Sequence, residues 1–360
     1  MTGLPDRQAL LERPEAPAGT GQRPVGLAAL VVGLDRFRRV NEALGLGAGD
    51  ELLRLVADRL RTCVRPDDAL ARAGGDEFAL LLEGVPAIED ALAVASRLEA
   101  SLRAPFLVAG RRLSVTASIG VARSEGDAES PQAVLRDAGI ALRAAKRSGR
   151  DRVKLFEPAM RSVAVDRLRI ESDLERALYR GELSLRYQPI VATGSGRVSG
   201  FEALVRWEHP ERGELGPAEF IQVAEESGLI RPLGEQVLAE ACAQAASWRA
   251  ETGHDLSVHV NLSACQLRGP SLVERVLEIL GETGLPAPLL HLEITESAVI
   301  EDEELAVARL DALRRRGVRV AIDDFGTGYS SLGLLGRLAV DSLKIDRSFV
   351  ERLDGTDPRG

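Results

Sequence analysis

From residue 183 onward, short β-branched runs alternate with amphipathic stretches, and this alternation limits the fold more than any other feature. Leu183–Val191, Gly200–Arg206, Leu256–Leu262, Leu289–Ile294, Val318–Ile322 and Ser342–Ile345 carry strand chemistry. Helical periodicity lies between most of them, as in Pro232–Arg249, Leu272–Leu280 and Glu303–Arg316. Gly317 then supplies a helix stop leading into the next strand. Such repetition predicts a mostly parallel sheet, with a TIM-type (β/α) barrel as its leading form.

Polar residues fall in phase at the ends of these strands. Glu202 lies in Phe201-Glu202-Ala203-Leu204-Val205-Arg206-Trp207, and Asn261 follows Val258-His259-Val260. Glu293 follows Leu290-His291-Leu292, Asp323 and Asp324 follow Val320-Ala321-Ile322, and Lys344 lies in Ser342-Leu343-Lys344-Ile345-Asp346. In a parallel barrel the C-terminal strand ends converge on one rim, where active sites lie. Single strand-end acids are common as solvated loop residues, but a whole series in phase is not. The adjacent Asp323 and Asp324 repel one another unless a cation lies between them, and hard oxygen donors suit Mg²⁺ or Mn²⁺.

At 360 residues the chain has room for two domains, each with its own core. Its formal net charge of -9, with basic residues spread out, argues against a basic groove for nucleic acid. Cys63, Cys242 and Cys265 are isolated, which points to a reducing, cytoplasmic compartment with neither disulfide nor zinc. His209, His254, His259 and His291 are scattered and read as structural. No apolar run is long enough for a bilayer and the opening residues are no signal peptide, so no membrane contact is expected from this piece. A longer, membrane-tethered parent is compatible with that.

The first half reads differently. Leu27–Val32 is a buried strand, followed by helical stretches Arg36–Leu44 and Ala48–Cys63. Asp68–Ala73 and Asp76–Leu82 flank Gly74-Gly75, a hairpin signal because a tight primed turn needs positive φ. A helix (Ile88–Leu102), a strand (Leu113–Val121), a helix (Ala133–Lys146) and a strand (Val153–Phe156) complete a βααββαβαβ order. That order predicts an α+β sheet with helices packed on one face. After Glu157-Pro158 an amphipathic helix runs to about Tyr179, ending before Gly181. The expected division is therefore 1–157, a linker helix at 158–180, and 181–360.

Arg72-Ala73-Gly74-Gly75-Asp76-Glu77-Phe78 resembles the signature of GGDEF domains, the diguanylate cyclases that condense GTP into cyclic di-GMP. The resemblance extends to Thr2-Gly3-Leu4-Pro5-Asp6-Arg7, Asp35-Arg36-Phe37…Asn41…Gly49-Asp50, and Ala145-Lys146…Gly149-Arg150. It implies guanine recognition by Asn41 and Asp50 and phosphate contacts from Lys146 and Arg150. Asp76 and Glu77 would sit at the metal and catalytic centre. Arg65-Pro66-Asp67-Asp68 is similar to the R-x-x-D site for inhibitory cyclic di-GMP, with Arg65 and Asp68 as its binding pair. One departure matters: members that make cyclic di-GMP usually carry an Asp where this chain has Gly33. A guanine-nucleotide-binding, cyclase-inactive domain is the expectation.

The second half resembles EAL domains, the cyclic di-GMP phosphodiesterases. Beyond Glu202-Ala203-Leu204 it carries Tyr187-Gln188-Pro189-Ile190, Asn261-Leu262-Ser263, Leu292-Glu293-Ile294-Thr295-Glu296, Asp323-Asp324-Phe325-Gly326-Thr327-Gly328-Tyr329-Ser330-Ser331 and Lys344-Ile345-Asp346. The resemblance implies that Glu202, Asn261, Glu293 and Asp323 hold one metal. Asp323 would bridge to a second metal bound by Asp324, and Lys344 would orient the attacking water. It further implies substrate contacts from Gln188, Leu204, Arg206 and Asp346, with Glu296 anchoring the glycine-rich loop after Asp324. The implied product is linear pGpG. EAL domains continue with two further strands bearing E-G-V-E and Q-G-x stretches, which do not occur here. The expectation is an incomplete EAL-type barrel, either a fragment of a longer parent with an upstream sensor domain or a truncated product with little activity of its own. A metal-dependent phosphodiesterase tuned by GTP or cyclic di-GMP stands beside a non-catalytic receptor, a bifunctional cyclase/phosphodiesterase and an unrelated barrel phosphoesterase. A homodimer fits the face-to-face arrangement of GGDEF domains.

Overall fold

The computed structural model describes residues 2–12, 26–124, 130–301, 303–326, 338 and 340–350. The chain divides into two compact units, Met1–Asp166 and Arg167–Gly360. A single helix, α6 (Pro158–Arg180), carries the chain from one to the other, and Gly181 follows it with φ 69° as a C′ glycine should.

In the first unit, the central strand β1 (Leu27–Leu34) lies between β3 (Glu77–Glu83) and β6 (Ala117–Arg123), antiparallel to both. β2 (Ala69–Gly74) and β7 (Val153–Leu155) complete the order β2-β3-β1-β6-β7. Alternate residues of β1 feed two cores. Ala28, Leu30, Val32 and Leu34 pack with α3 (Leu46–Arg61) and α4 (Ile88–Arg103), while Ala29 and Val31 pack with Val134, Leu135, Ala138 and Leu142 of α5 (Pro131–Arg147). Helices therefore cover both faces of this sheet, not one as the element order suggested. The unbroken apolar run of β1 is the mark of a strand covered on both sides, since one wet face would have imposed alternation.

A second correction concerns Leu113–Val121. Arg111–Leu113 forms a separate strand, β5, paired with Phe106–Val108 (β4), and β6 begins afresh at Ala117. Ala109 and Gly110 join β4 to β5 with φ of 48° and 74°, a two-residue turn with positive φ at both positions. An Ala in the first of them hid the turn.

The described residues of the second unit form a seven-stranded sheet flanked by helices. β9 (Arg197–His209), β11 (Ser257–Asn261), β12 (Leu290–Thr295), β13 (Arg319–Phe325) and β14 (Ser342–Ile345) run parallel, in that spatial order. β8 (Leu183–Ala192) and β10 (Gly213–Leu215) pair antiparallel with β9. Val258, Val260, Leu290, Leu292, Val320 and Ile322 pack with α8 (Ile230–Thr252), α10 (Leu272–Thr283) and α12 (Glu303–Arg314). Period-two alternation sends the intervening residues, among them His259, Asn261, His291, Glu293 and Asp323, to the other face.

Candidate functional site

Register brings the strand-end residues of the second unit together. Gln188 stands opposite Glu202 across β8 and β9, Asn261 opposite Glu293, and Thr295 opposite Asp323. Glu202, Glu293 and Asp323 each offer a carboxylate oxygen, and these lie within 4.8 Å of one another. Lys344 sits among them, its Nζ donating to Glu293 Oε2 at 2.5 Å, Glu202 Oε2 at 2.9 Å and Asp323 Oδ2 at 3.2 Å. Burial by itself would lower the lysine pKa, but the hydrogen bonds to Glu293 and Glu202 outweigh it and raise it well above the ordinary value. Asn261 Nδ2 donates to Glu202 Oε1 at 2.9 Å, which leaves its amide oxygen for another partner.

Asp323 and Asp324 would point to opposite faces of a regular strand. A bulge prevents this: Ile322 pairs with Leu343 and Phe325 with Ile345, so both acids stand opposite the single Lys344. Asp324 takes up the irregularity in a left-handed conformation, φ 54°. Its carboxyl is pushed above the ordinary range, first by burial and then by the charges of Asp323 and Asp346, and it hydrogen-bonds Asp346.

Glu293 has no exposed side-chain surface, and its second oxygen, Oε1, lies 2.8 Å from His259 Nδ1. His259 Nε2 in turn lies 3.3 Å from Ser257 Oγ, and its ring stacks on His291 at 4.2 Å between centroids. Burial, then the neighbouring His259, depress His291 to about 4 and keep it neutral at ordinary pH. A cavity of about 600 Å³ opens beside Asn261 and Glu293, lined by Leu204, Ile221, Gln222, Val237, Leu262 and Thr295 among others. Arg206 shares a face of β9 with Glu202 and Leu204 but is turned to its own neighbourhood. Its Nη1 donates to the Val205 carbonyl at 2.8 Å and its Nε lies 3.9 Å from Glu214.

In the first unit the hairpin turns one residue later than expected: Gly74 (φ 144°) ends β2 and pairs with Glu77, so that Gly75 (φ 51°) and Asp76 make the turn. Arg72 clamps it, donating through Nε and Nη2 to the Gly75 carbonyl at 3.1 and 2.6 Å. Glu77 follows, and Lys146 at the end of α5 donates to Glu77 Oε1 at 3.2 Å. Asn41 on α2 (Phe37–Leu44) lies against Gly49, where an added Cβ would meet Asn41 Oδ1 at 1.8 Å, so the glycine makes room for the Asn41 side chain. Arg150 is exposed in a left-handed turn, φ 61°. Asp68 Oδ2 accepts from the Arg65 backbone N–H at 2.8 Å, closing a local turn that leaves the Arg65 side chain exposed.

Residues 171–360 match the EAL domain family, and residues 1–152 match the diguanylate cyclase, GGDEF domain family. The chain belongs to the tandem GGDEF–EAL family. It is 41% identical over 328 residues to the cyclic di-GMP phosphodiesterase NbdA of Pseudomonas aeruginosa, covering 91% of this chain and 42% of that one. The solved PaMucR phosphodiesterase, in complex with c-di-GMP, is 44% identical with a TM-score of 0.50, covering 51% of this chain and 75% of that one. The S helix-GGDEF-EAL portion of Vibrio cholerae LapD, bound to c-di-GMP, shares the fold at 20% identity and a TM-score of 0.59, covering 98% and 83%. The chain spans about half the length of the curated relatives it matches.

Some residues of this tandem GGDEF–EAL chain escaped the sequence reading. His259, one of the histidines that read as structural, is the hydrogen-bond partner of Glu293. The available signal was its position two residues before Asn261, hence on the same strand face. Asp35, buried at the end of β1, accepts from Thr116 Oγ1, Ser118 Oγ and the Asp151 N–H, fixing the turn that presents Arg150. Asp346, expected among the substrate contacts, lies beside Asp324. Glu296 is buried at the start of α11 (Glu296–Glu301), and residues 327–331 of the loop assigned to it lie outside the described residues.

Proposed function

We propose that the EAL half hydrolyses cyclic di-GMP to linear pGpG with divalent cations, and that the GGDEF half is a cyclase-inactive regulator that binds GTP or cyclic di-GMP. The carrying observation is the convergence of Glu202, Glu293 and Asp323 on the ammonium of Lys344. Three carboxylates in that space repel one another, and the structure meets the repulsion with a cation of its own. The donor set therefore fits Mg²⁺ or Mn²⁺: hard oxygens from Glu202, Glu293, Asp323 and the Asn261 amide, with Asp324 and Asp346 adjoining. A pair of such cations, when bound, polarises the phosphodiester and activates water for in-line attack.

The protein's own groups supply the rest. Asp323 is held in register on β13 between the Glu293 strand and Lys344, suited to bridging. Lys344, once its acids are shared with metal, is positioned to orient water by its N–H donors. Gln188, opposite Glu202, and Leu204 border the space for substrate, and the adjoining cavity has the volume of a nucleotide-sized site. Arg206 would leave Glu214 to meet a phosphate or base. Glu296 would anchor the loop after Asp324.

In the GGDEF half, Asn41 and Asp50 read guanine and Lys146 and Arg150 meet phosphate, with Asp76 and Glu77 as remnants of the catalytic turn. Arg65 and Asp68 form the inhibitory cyclic di-GMP site. The functional division is 1–157, 158–180 and 181–360, with dimerisation and an upstream sensor as properties of the whole protein. Among the described residues no helix is long and apolar enough to cross a membrane, and we place this part in the cytoplasm.

The test is chromatographic. This chain and the longest polypeptide its gene encodes are incubated with cyclic di-GMP and Mg²⁺ or Mn²⁺, alongside Glu202→Ala and Lys344→Ala variants. Formation of pGpG that both substitutions abolish is expected. Saturable binding without pGpG from the longest form would replace the enzyme with a receptor.

A further inference from the structure

Gly33 stands opposite Glu77 on one side of β1 and opposite Ser118 on the other. A Cβ at this position would come within 2.7 Å of both Cε and Nζ of Lys146. The lysine thus fills the space that a side chain on residue 33 would enter, and its ammonium is bonded to Glu77. Asp35, the nearest acid along β1, is committed to two hydroxyls and a backbone N–H. Among the described residues, the one grouping of three or more metal-ligating side chains lies in the second unit. The side chains around Glu77 fit a divalent cation poorly: Gly33 brings no carboxylate, Asp35 is committed elsewhere, and Glu77 is already bonded to the Lys146 ammonium.

We propose that the first unit binds its nucleoside polyphosphate free of divalent metal, with Lys146 and Arg150 as counter-charges. This rests on the guanine-nucleotide reading of that unit. Free GTP carries more negative charge than its magnesium complex, so fixed cations attract it more strongly. A carboxylate at position 33 would instead claim the ammonium.

The experiment measures binding of fluorescently labelled GTP to the whole chain by anisotropy, in excess EDTA and in excess Mg²⁺. Affinity in EDTA equal to or above that in Mg²⁺ is expected. Asn41→Ala should weaken both by roughly tenfold, which assigns the signal to the first unit. Gly33→Asp should weaken binding in EDTA by a similar factor and restore it with Mg²⁺. A loss of about tenfold or more in EDTA for the unaltered chain overturns the proposal. So does metal-free binding untouched by Gly33→Asp. No GTP binding in either condition overturns the nucleotide reading, and this proposal falls with it.

Discussion

The Lys344 ammonium lies 2.5 Å from Oε2 of Glu293, a carboxylate with no exposed side-chain surface. A fully buried acid of this kind is tolerable only because it is paired, and the pairing is with a residue from the last strand of the sheet. Removing the lysine leaves Glu202, Glu293 and Asp323 to repel one another. Lys344→Ala should lower the thermal midpoint without metal and enlarge the rise on adding Mn²⁺, because the cation then replaces the missing charge. Differential scanning fluorimetry with and without Mn²⁺ checks this. An unchanged Mn²⁺ response in the variant would show that the acids do not share one cation.

His259 holds the other oxygen of Glu293. Ligating carboxylates depend on such partners for their orientation, and losing one typically costs 10–100-fold in metal affinity. His259→Ala should weaken Mn²⁺ binding by about that factor with an unchanged circular dichroism spectrum, and His259→Asn should recover part of it. Calorimetric titration gives the answer directly. Equal affinity in all three proteins would reduce the histidine to packing.

Asp341 joins the start of β14 to its neighbours. Its Oδ2 accepts from the Val320 N–H at 2.9 Å, and Arg314 donates to both carboxylate oxygens at 3.1 and 3.3 Å. Burial opposes the charge, but Arg314 and the Val320 amide hold the carboxyl below its ordinary value. A lowered folded pKa contributes stability that is present above the unfolded value, near pH 4, and is lost as pH falls through the folded one. Asp341→Asn should therefore cost about 1 kcal/mol at pH 7, where solvent already screens part of the pairing, and less at pH 3. Urea melts at the two pH values decide it, and an equal cost at both would remove the charge from the account.

Gly49 is the position where Asn41, proposed to read guanine, depends on an absent side chain. Gly49→Ala would press on Asn41 at 1.8 Å and displace it. GTP affinity should fall by roughly tenfold while the thermal midpoint moves by only a few degrees. Unchanged GTP binding would mean that Asn41 does not read the base.

Much of this was legible in the residues. The parallel strands of the second unit and the convergence of Glu202, Asn261, Glu293, Asp323 and Lys344 follow from period-two alternation and the polarity of strand ends. What stayed hidden has physical reasons. The Ala109-Gly110 turn lacks the usual Asn or Asp, so its strand was merged with the next. Coverage of both faces by α3, α4 and α5 depends on long-range packing that element order does not encode. His259 looked ordinary because a histidine's role is set by the neighbour its ring nitrogen meets, here on another strand. Gly33 was legible as a missing acid, but the filling of its space by Lys146 was not, because the lysine comes from a helix more than a hundred residues later.

The bulge at Asp323 and Asp324 has a further consequence. Phe325 packs against the same core as Val320 and Ile322, although an odd number of positions separates it from Ile322. The extra residue is what reconciles that spacing with a side-chain period of two. Delete Asp324, and Ile322, Asp323 and Phe325 read as an uninterrupted strand, with the aromatic ring still facing inward. The shortened chain is expected to fold with its thermal midpoint kept or raised, since a left-handed residue and an acid–acid contact both disappear. On that outcome the second carboxylate is a one-residue insertion that the fold does without, as the metal-binding role proposed for Asp324 requires.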